Sequence, residues 1–386
     1  MSAGMRGFNG ERLREAREAR GLTGVSLAGL AGMSGVQVSQ YEHGTRTPPA
    51  ESVERLSIAL NLPAAFFLQD GSDSADDLLV SFRSLSGATK TARTRELRRL
   101  AWVTRIAGYL RKYAALPAPN FPVWTISPRP GDLDEIQVDE WADSLREYWG
   151  VEPGPIPDVV DLLERNGAIV VRCELGADTL DAYSAWAHGV PYVVLAADKR
   201  AAVRSRFDAA HEIAHLVLHR QASGADLATP AFVKDIERQA HAFAGAFLMP
   251  ADSFSAEFLS PTLDGFVAMK PRWQVSVGAM IKRASSLELI GPEQERRLWI
   301  GYRRRWGHRE PFDDDFEAEV PKVLRSALEI ALRSGVTPAA LRLSLPYATA
   351  DIEQLTGVHR GFLSSEDRAV GGNVVSNVLL FPSAHE

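Results

Sequence analysis

Cysteine is almost absent from this chain of 386 residues, whose single thiol is Cys173. One cysteine excludes an internal disulfide framework and a zinc finger built on thiolates, so any metal must be held by histidine and carboxylate side chains. The low cysteine content also fits the reducing cytoplasm, which is the location we expect. Long apolar runs are missing too: none reaches the ~18 residues that a membrane span needs, and the first residues lack the apolar core of a secretory signal. We therefore expect no membrane partner.

A strong excess of either charge is also absent. The chain has 43 Lys and Arg against 49 Asp and Glu, a formal net charge of −6. This average does not exclude a nucleic-acid-binding protein, because such a protein needs only a local basic face. An apolar share of 45% is typical of a globular protein, and the length predicts two or three domains.

The hydrophobic pattern predicts a mainly α protein with a small β-sheet, of the α+β class. Short helices fill an N-terminal bundle, and the polar stretch after Gln69 has the composition of a linker. Two β-type runs, residues 168–173 and 182–195, lie among the helices of the central part. The last part is helical and carries no motif that we can decode. The predicted divisions are a bundle at 1–70, a linker with a basic helical segment at 71–115, a central domain at 116–305 and a C-terminal region at 306–386.

The clearest chemical signal is a His-Glu-x-x-His motif in the helix predicted for residues 204–219. His211 and His215 lie four residues apart, hence on one face of a helix, where both imidazoles can reach one ion at ~2.0–2.1 Å. Glu212 projects from a neighbouring angle, where its carboxylate can take a proton from a metal-bound water. The alternative is a chance match on a buried helix, but two unpaired imidazoles would be costly to bury there.

A catalytic zinc ion needs a third protein ligand and an open position for water. The next predicted helix, residues 232–248, offers Glu237, although an acid in a first helical turn can also be a solvated residue that the helix dipole favours. His241 lies one turn later on the same face and suits a contact to a ligand. His219, eight residues after His211, lies ~80° off the ligand face. This angle indicates a structural histidine or one at a polar rim.

Together the two helices resemble the ImmA/IrrE family of metallopeptidases, over about residues 155–305. In that family a His-Glu-x-x-His helix precedes a helix of the form Glu-x-x-Ala-(Asn/His)-x-Phe-Ala that ends in Leu-Met-Pro. The matching residues are His211, Glu212, His215, Glu237, Ala240, His241, Phe243, Ala244, Leu248, Met249 and Pro250. The resemblance implies a zincin-like domain whose Zn²⁺ ligands are His211, His215 and Glu237. Its substrate would be a repressor or antitoxin-like protein, or the chain itself.

The chemistry implied is that of a zinc endopeptidase of the gluzincin-like kind. Zinc would polarise a peptide carbonyl and lower the pKa of its bound water towards ~7, while Glu212 accepts the proton and passes it to the leaving amine. Tyr183, in the hairpin predicted before the motif, could stabilise an oxyanion. An aromatic residue in a β-type run is more often simply packed.

A second motif lies near the N-terminus, where the residues from Leu22 to Pro48 have the layout of a helix-turn-helix. Caps and a tight turn are expected at Thr23, Ser34 and Gly32. Val38 and Tyr41 should pack inward. The residues then left facing outward, where a recognition helix meets base edges, are Gly35, Val36, Gln37 and Gln40.

This segment resembles the XRE family of Cro/repressor-like domains over residues 8–68. The matching residues are Leu27, Ala28, Ser39, Glu42, Gly44, Arg46, Pro48, Leu56 and Leu60. Gly24 departs from the family, which commonly has a glutamine there, and Gly35 offers no side chain to the groove. Base contact therefore falls mainly on Gln37 and Gln40. The resemblance implies double-stranded operator DNA as a partner and a homodimer on a pseudo-palindromic site. The expected contacts come from Thr23, Ser34, Val36, Gln37, Gln40 and Arg46.

Alternatives remain for both modules. The bundle could be a protein-contact module, because its charges are nearly balanced, and the basic segment Lys90–Lys112 could contact phosphates or be a solvated helix face. Our main prediction is a transcriptional regulator fused to a zinc endopeptidase. One rival is a transcription factor whose zinc site is structural or sensory, without turnover. Another is an interaction adaptor in which neither module is active.

Overall fold

The computed structural model describes residues 4–70, 89–124, 132–176, 180–198, 202–307 and 309–364. These residues form two compact units. The first unit is discontinuous and combines residues 4–70, 89–117 and 322–364, whereas the second contains the described residues from 118 to 321. The part of the predicted linker from 71 to 88 lies outside the described residues.

Helices dominate both units. In chain order they are α1 (Gly10–Ala19), α2 (Gly24–Leu30), α3 (Gly35–Glu42), α4 (Ala50–Leu60), α5 (Lys90–Leu110), α6 (Glu135–Tyr148), α7 (Val159–Arg165), α8 (Ala202–Val217), α9 (Gly224–Leu227), α10 (Pro230–Leu248), α11 (Ala251–Glu257), α12 (Leu263–Trp273), α13 (Val277–Ser286), α14 (Pro292–Arg305), α15 (Val323–Arg333), α16 (Pro338–Ser344) and α17 (Thr349–Thr356). The strands are β1 (Ile169–Cys173), β2 (Ala182–Ala187) and β3 (Val190–Ala196). This arrangement confirms the predicted α+β class. None of the described helices combines the length and apolar character needed to cross a membrane.

Helices α2 and α3 form the helix-turn-helix that the sequence predicts. The Thr23 hydroxyl accepts the Ser26 N–H at 3.0 Å and so caps α2. Gly32 supplies the turn with a φ of 62°, which glycine adopts without steric cost. Ser34 caps α3 through a capping box with Gln37, in which each side chain accepts a backbone N–H of the other residue. The predicted caps and turn are therefore confirmed.

A buried carboxylate joins α1 to α5 in the first unit. Glu15 is fully buried and accepts hydrogen bonds from Trp102 Nε1 at 2.8 Å, Arg105 Nη1 at 2.5 Å and Arg12 Nη1 at 2.9 Å. Burial raises the pKa of Glu15, but Arg105, Arg12 and the Trp102 hydrogen bond outweigh it and hold that pKa below its usual range. The charge is thus satisfied inside the core.

The basic segment predicted at Lys90–Lys112 is only partly available to solvent. Arg105 of this segment bonds the buried Glu15, and Arg98 bonds Glu18 of α1 at 2.8 Å. These arginines neutralise the acids of α1 instead of presenting one continuous phosphate-binding face.

The C-terminal helices complete the core of the first unit. The Tyr347 ring, between α16 and α17, lies 4.9 Å from the Trp102 ring and 5.8 Å from the Phe66 ring. Asp351 of α17 accepts two hydrogen bonds from Arg20, at 2.8 and 2.6 Å. Residues 322–364 therefore pack with the helix-turn-helix bundle although they are remote from it in sequence.

The second unit is built on a three-stranded sheet of order β1-β3-β2. β1 runs parallel to β3, and β2 pairs antiparallel with β3 from Ala182–Leu195 to Ala187–Val190. The predicted hairpin is therefore confirmed. Helix α8 packs on β2 and β3, and α10 packs on α8 and α6. In the same unit, the Glu319 carboxylate accepts the Val159 and Val160 N–H groups at 3.0 and 3.1 Å and so caps α7.

Candidate metal centre

Two helices position the predicted ligands. His211 and His215 lie on α8, and Glu237 lies on α10. Ala240 and Ala244 of α10 are fully buried, and such small side chains let two packed helices approach closely. Because α10 begins at Pro230, roughly two turns before Glu237, the alternative of a solvated acid in a first helical turn is wrong.

The three ligand groups converge on one point. His211 Nε2 lies 3.1 Å from His215 Nε2 and 3.3 Å from Glu237 Oε2. His215 Nε2 lies 3.6 Å from Glu237 Oε1. A tetrahedral ion with bonds of ~2.0–2.2 Å separates its ligand atoms by roughly 3.3–3.6 Å, close to the observed 3.1–3.6 Å, so the spacing fits one zinc ion. Among the described residues, His211, His215 and Glu237 are the group of His, Cys and acidic side chains whose ligand atoms lie close enough together to hold one metal ion.

An unsatisfied atom at the site also fits a metal. Glu237 Oε1 is buried and has no hydrogen-bond partner among the described residues. Burial lowers the pKa of His211, but the Glu237 and Glu212 carboxylates raise it, and the net shift is upward. A carboxylate between two imidazoles thus draws positive charge to this position. A donor set of two histidines and one glutamate suits a zinc ion with a fourth position for water.

The predicted base, Glu212, is fixed by a residue that the sequence analysis missed. Glu212 is buried, and the Ser184 hydroxyl of β2 donates to its Oε2 at 2.6 Å. This hydrogen bond fixes the orientation of the Glu212 carboxylate. The available signal was a lone serine in the otherwise apolar and aromatic run Ala182–Ala187.

Tyr183 is fully buried next to Ser184 on β2. Successive side chains of a strand point to opposite faces, so Tyr183 lies on the other face of the sheet from the hydroxyl that bonds Glu212. This placement favours packing over oxyanion stabilisation.

His241 and His219 flank the two histidine ligands in different ways. The His241 ring lies edge-on to the His211 ring at 4.6 Å and stacks on Phe207 at 6.0 Å. Burial and His211 lower the pKa of His241 to about 4, although Glu237 raises it. Within the described residues no hydrogen bond joins His241 to a ligand. His219 is fully buried and lies 2.9 Å from His215, so the polar-rim interpretation of His219 is wrong.

A cleft of about 840 Å³ opens beside the site. Its lining residues include Phe207, Asp208, His241, Trp299 and Tyr302. Burial, and then Asp181 and Glu212, raise the pKa of Asp208 to about 7, while His211 and Arg204 lower it. The cleft is large enough to hold several side chains of a bound peptide.

The predicted DNA contacts lie on one part of the first unit. Val38 and Tyr41 are buried as predicted, while Val36 of α3 is 67% exposed. Thr23 and Ser34 are exposed at the starts of α2 and α3, and Arg46 is exposed in the loop after α3. Gln37 and Gln40 are half-buried. The Gln37 side-chain oxygen accepts the Ser34 N–H at 3.0 Å, so it is occupied by the cap.

Comparison with known families gives two matches. Residues 10–65 match the sequence model of a helix-turn-helix domain. Residues 163–285 match that of a peptidase family, described as the IrrE N-terminal-like domain. The first match contains α2 and α3, and the second contains all three metal-ligand candidates and Glu212. No curated protein matches the chain.

Proposed function

Because this chain joins an N-terminal helix-turn-helix domain to an ImmA/IrrE-type peptidase-family domain, we propose that it is a transcriptional regulator with zinc-dependent endopeptidase activity. The convergence of His211, His215 and Glu237 beside the buried Glu212 carries the peptidase half. The outward face of α3 is the observation that supports the DNA-binding part of the proposal.

Several residues of the second unit have separate roles in the proposed reaction. Zn²⁺ held by the two histidines and Glu237 would supply a Lewis acid that polarises the peptide carbonyl and acidifies its bound water. Glu212 would accept a proton from the attacking water and return it to the leaving amine. Ser184 orients the Glu212 carboxylate through its 2.6 Å hydrogen bond. The cleft beside His241 is where the peptide would lie.

The substrate that we propose is a protein of the repressor or antitoxin kind, or the chain itself. Such a target connects proteolysis to the promoter that the helix-turn-helix domain binds. We further propose that the protein acts in the cytoplasm as a homodimer, because domains of the XRE type pair on two-fold operators.

Metal removal tests the peptidase half. Protein stripped by a chelator and the same protein reloaded with zinc are incubated with the proteins encoded beside its gene, and new termini are sought by mass spectrometry. We expect new termini only in the zinc-loaded samples. Stoichiometric zinc binding without any new terminus would instead favour the transcription factor with a structural or sensory zinc site.

Two substitutions separate base contacts from phosphate contacts in the DNA-binding half. Gln40→Ala should weaken operator binding by about 1–3 kcal/mol and relax specificity at one base pair. Arg46→Ala should weaken binding to all sequences and lower the salt slope by about one. Both effects are measured by fluorescence anisotropy over a salt series. Ile58→Ala, a 75% exposed residue of α4, is the control and should bind as the wild type does. Equal effects of all three variants would contradict the assignment.

A further inference from the structure

A chain of hydrogen bonds runs behind the metal ligands. His215 Nδ1 lies 2.9 Å from His219 Nδ1, and His219 Nε2 lies 3.1 Å from Gln239 Oε1. Gln239 Nε2 in turn donates to the Leu133 carbonyl oxygen at 3.1 Å. His215 is 1% exposed, and His219 and Gln239 are fully buried. Bulk water therefore does not compete for these hydrogen bonds.

The Leu133 carbonyl oxygen, at the end of this series of hydrogen bonds, determines which atom donates in each of them. A carbonyl oxygen only accepts, so the Gln239 amide nitrogen faces Leu133 and the Gln239 amide oxygen faces His219. His219 Nε2 must then carry a proton. In a neutral imidazole the other nitrogen accepts a hydrogen bond, so the N–H at His215 Nδ1 donates to His219 Nδ1. His215 Nε2 is consequently left with a lone pair, and this is the nitrogen that faces His211 and Glu237.

The two histidine ligands are thus supported unequally. His215 is held in one tautomer by a chain that ends at backbone, whereas His211 Nδ1 is buried without a hydrogen-bond partner among the described residues. The His211 ring contacts the edge of the His241 ring instead. Ring contact restricts orientation but does not select which nitrogen is protonated.

We propose that His219 and Gln239 are positioning residues that fix His215 in the tautomer able to bind zinc, and thereby set the zinc affinity of the site. This inference rests on the proposed metal site but not on peptidase turnover. Partners of this kind, which hold the second nitrogen of a ligating histidine, contribute about 10–100-fold to metal affinity.

Zinc affinity, measured by competition with a chromophoric chelator, is the first test. His219→Leu removes both hydrogen bonds and should weaken zinc binding about 10–100-fold. Gln239→Leu should weaken it in the same direction by a smaller factor. His219→Gln keeps one acceptor and one donor and should restore most of the affinity. Leu218→Ala, at a buried neighbour of His219, removes volume without a hydrogen bond and should bind zinc as the wild type does.

The tautomer is the second test and needs no variant. In metal-free, ¹⁵N-labelled wild-type protein at pH 8, two-bond ¹⁵N–¹H correlations should show His215 with a protonated Nδ1 and an unprotonated Nε2. The opposite tautomer would overturn the proposal. So would a folded His219→Leu variant with wild-type zinc affinity, and in that case the metal site itself would stand. A wild type that binds no zinc would overturn the metal site and this proposal together.

Discussion

Glu212→Gln is expected to lower peptide hydrolysis by about 10²–10⁴-fold while zinc remains bound. Glutamine has nearly the shape of glutamate, and its side-chain oxygen can still accept the Ser184 hydroxyl that bonds Oε2 at 2.6 Å. It has no basic oxygen with which to remove a proton from the attacking water. The change therefore separates proton transfer from metal binding. The measurement is kcat/KM on the cleaved substrate, together with zinc content by mass spectrometry.

Glu237→Gln is the matched control, since it makes the same chemical change on α10. Glu237 lies 3.3 Å from His211 Nε2 and 3.6 Å from His215 Nε2, and loss of its charge should lower both zinc content and activity. Only Glu212→Gln should keep its zinc. A Glu212→Gln variant that hydrolyses its substrate at the wild-type rate would show that another group is the base.

The sequence predicted the two histidine candidates because helix geometry alone places residues four apart on one face. The convergence of Glu237 was not predictable in this way, since it depends on how α10 packs on α8. The resemblance to a family supplied that ligand. Its separation from both imidazoles now gives the prediction a geometric basis.

Contacts between remote residues were the ones that the sequence did not reveal. Ser184 reaches Glu212 because β2 packs on α8, and no periodicity within either element encodes that contact. For His219, the helical angle correctly placed the ring off the ligand face but gave no sign of its hydrogen bond to His215. The C-terminal segment likewise has no motif, because its role depends on residues such as Tyr347 that pack against distant parts of the chain.

Tyr347→Ala is expected to lower the free energy of unfolding of the first unit by about 3–5 kcal/mol, the usual cost of removing a large buried aromatic side chain. Tyr347 is 2% exposed and packs on Trp102 and Phe66. Its hydroxyl also accepts a hydrogen bond from Arg105 Nη1 at 3.3 Å. Tyr347→Phe keeps the ring and removes only this hydrogen bond, so its cost should be nearer ~1 kcal/mol.

Hydrogen–deuterium exchange read by mass spectrometry distinguishes the two units within the full chain. Tyr347→Ala should speed exchange in peptides of α1 and α5 and leave those of α8 and α10 unchanged, because stability is lost where the packing is lost. Leu343→Ala, on the neighbouring helix α16 and 80% exposed, is the control and should leave every peptide unchanged.

A chain that ends at residue 321 should show the same loss of protection as Tyr347→Ala, since it lacks the segment that contains Tyr347. Unchanged protection of α1 in both would mean that the helix-turn-helix bundle is stable without the C-terminal helices. Faster exchange there would mean that the stability of the helix-turn-helix bundle depends on residues beyond the peptidase-family segment.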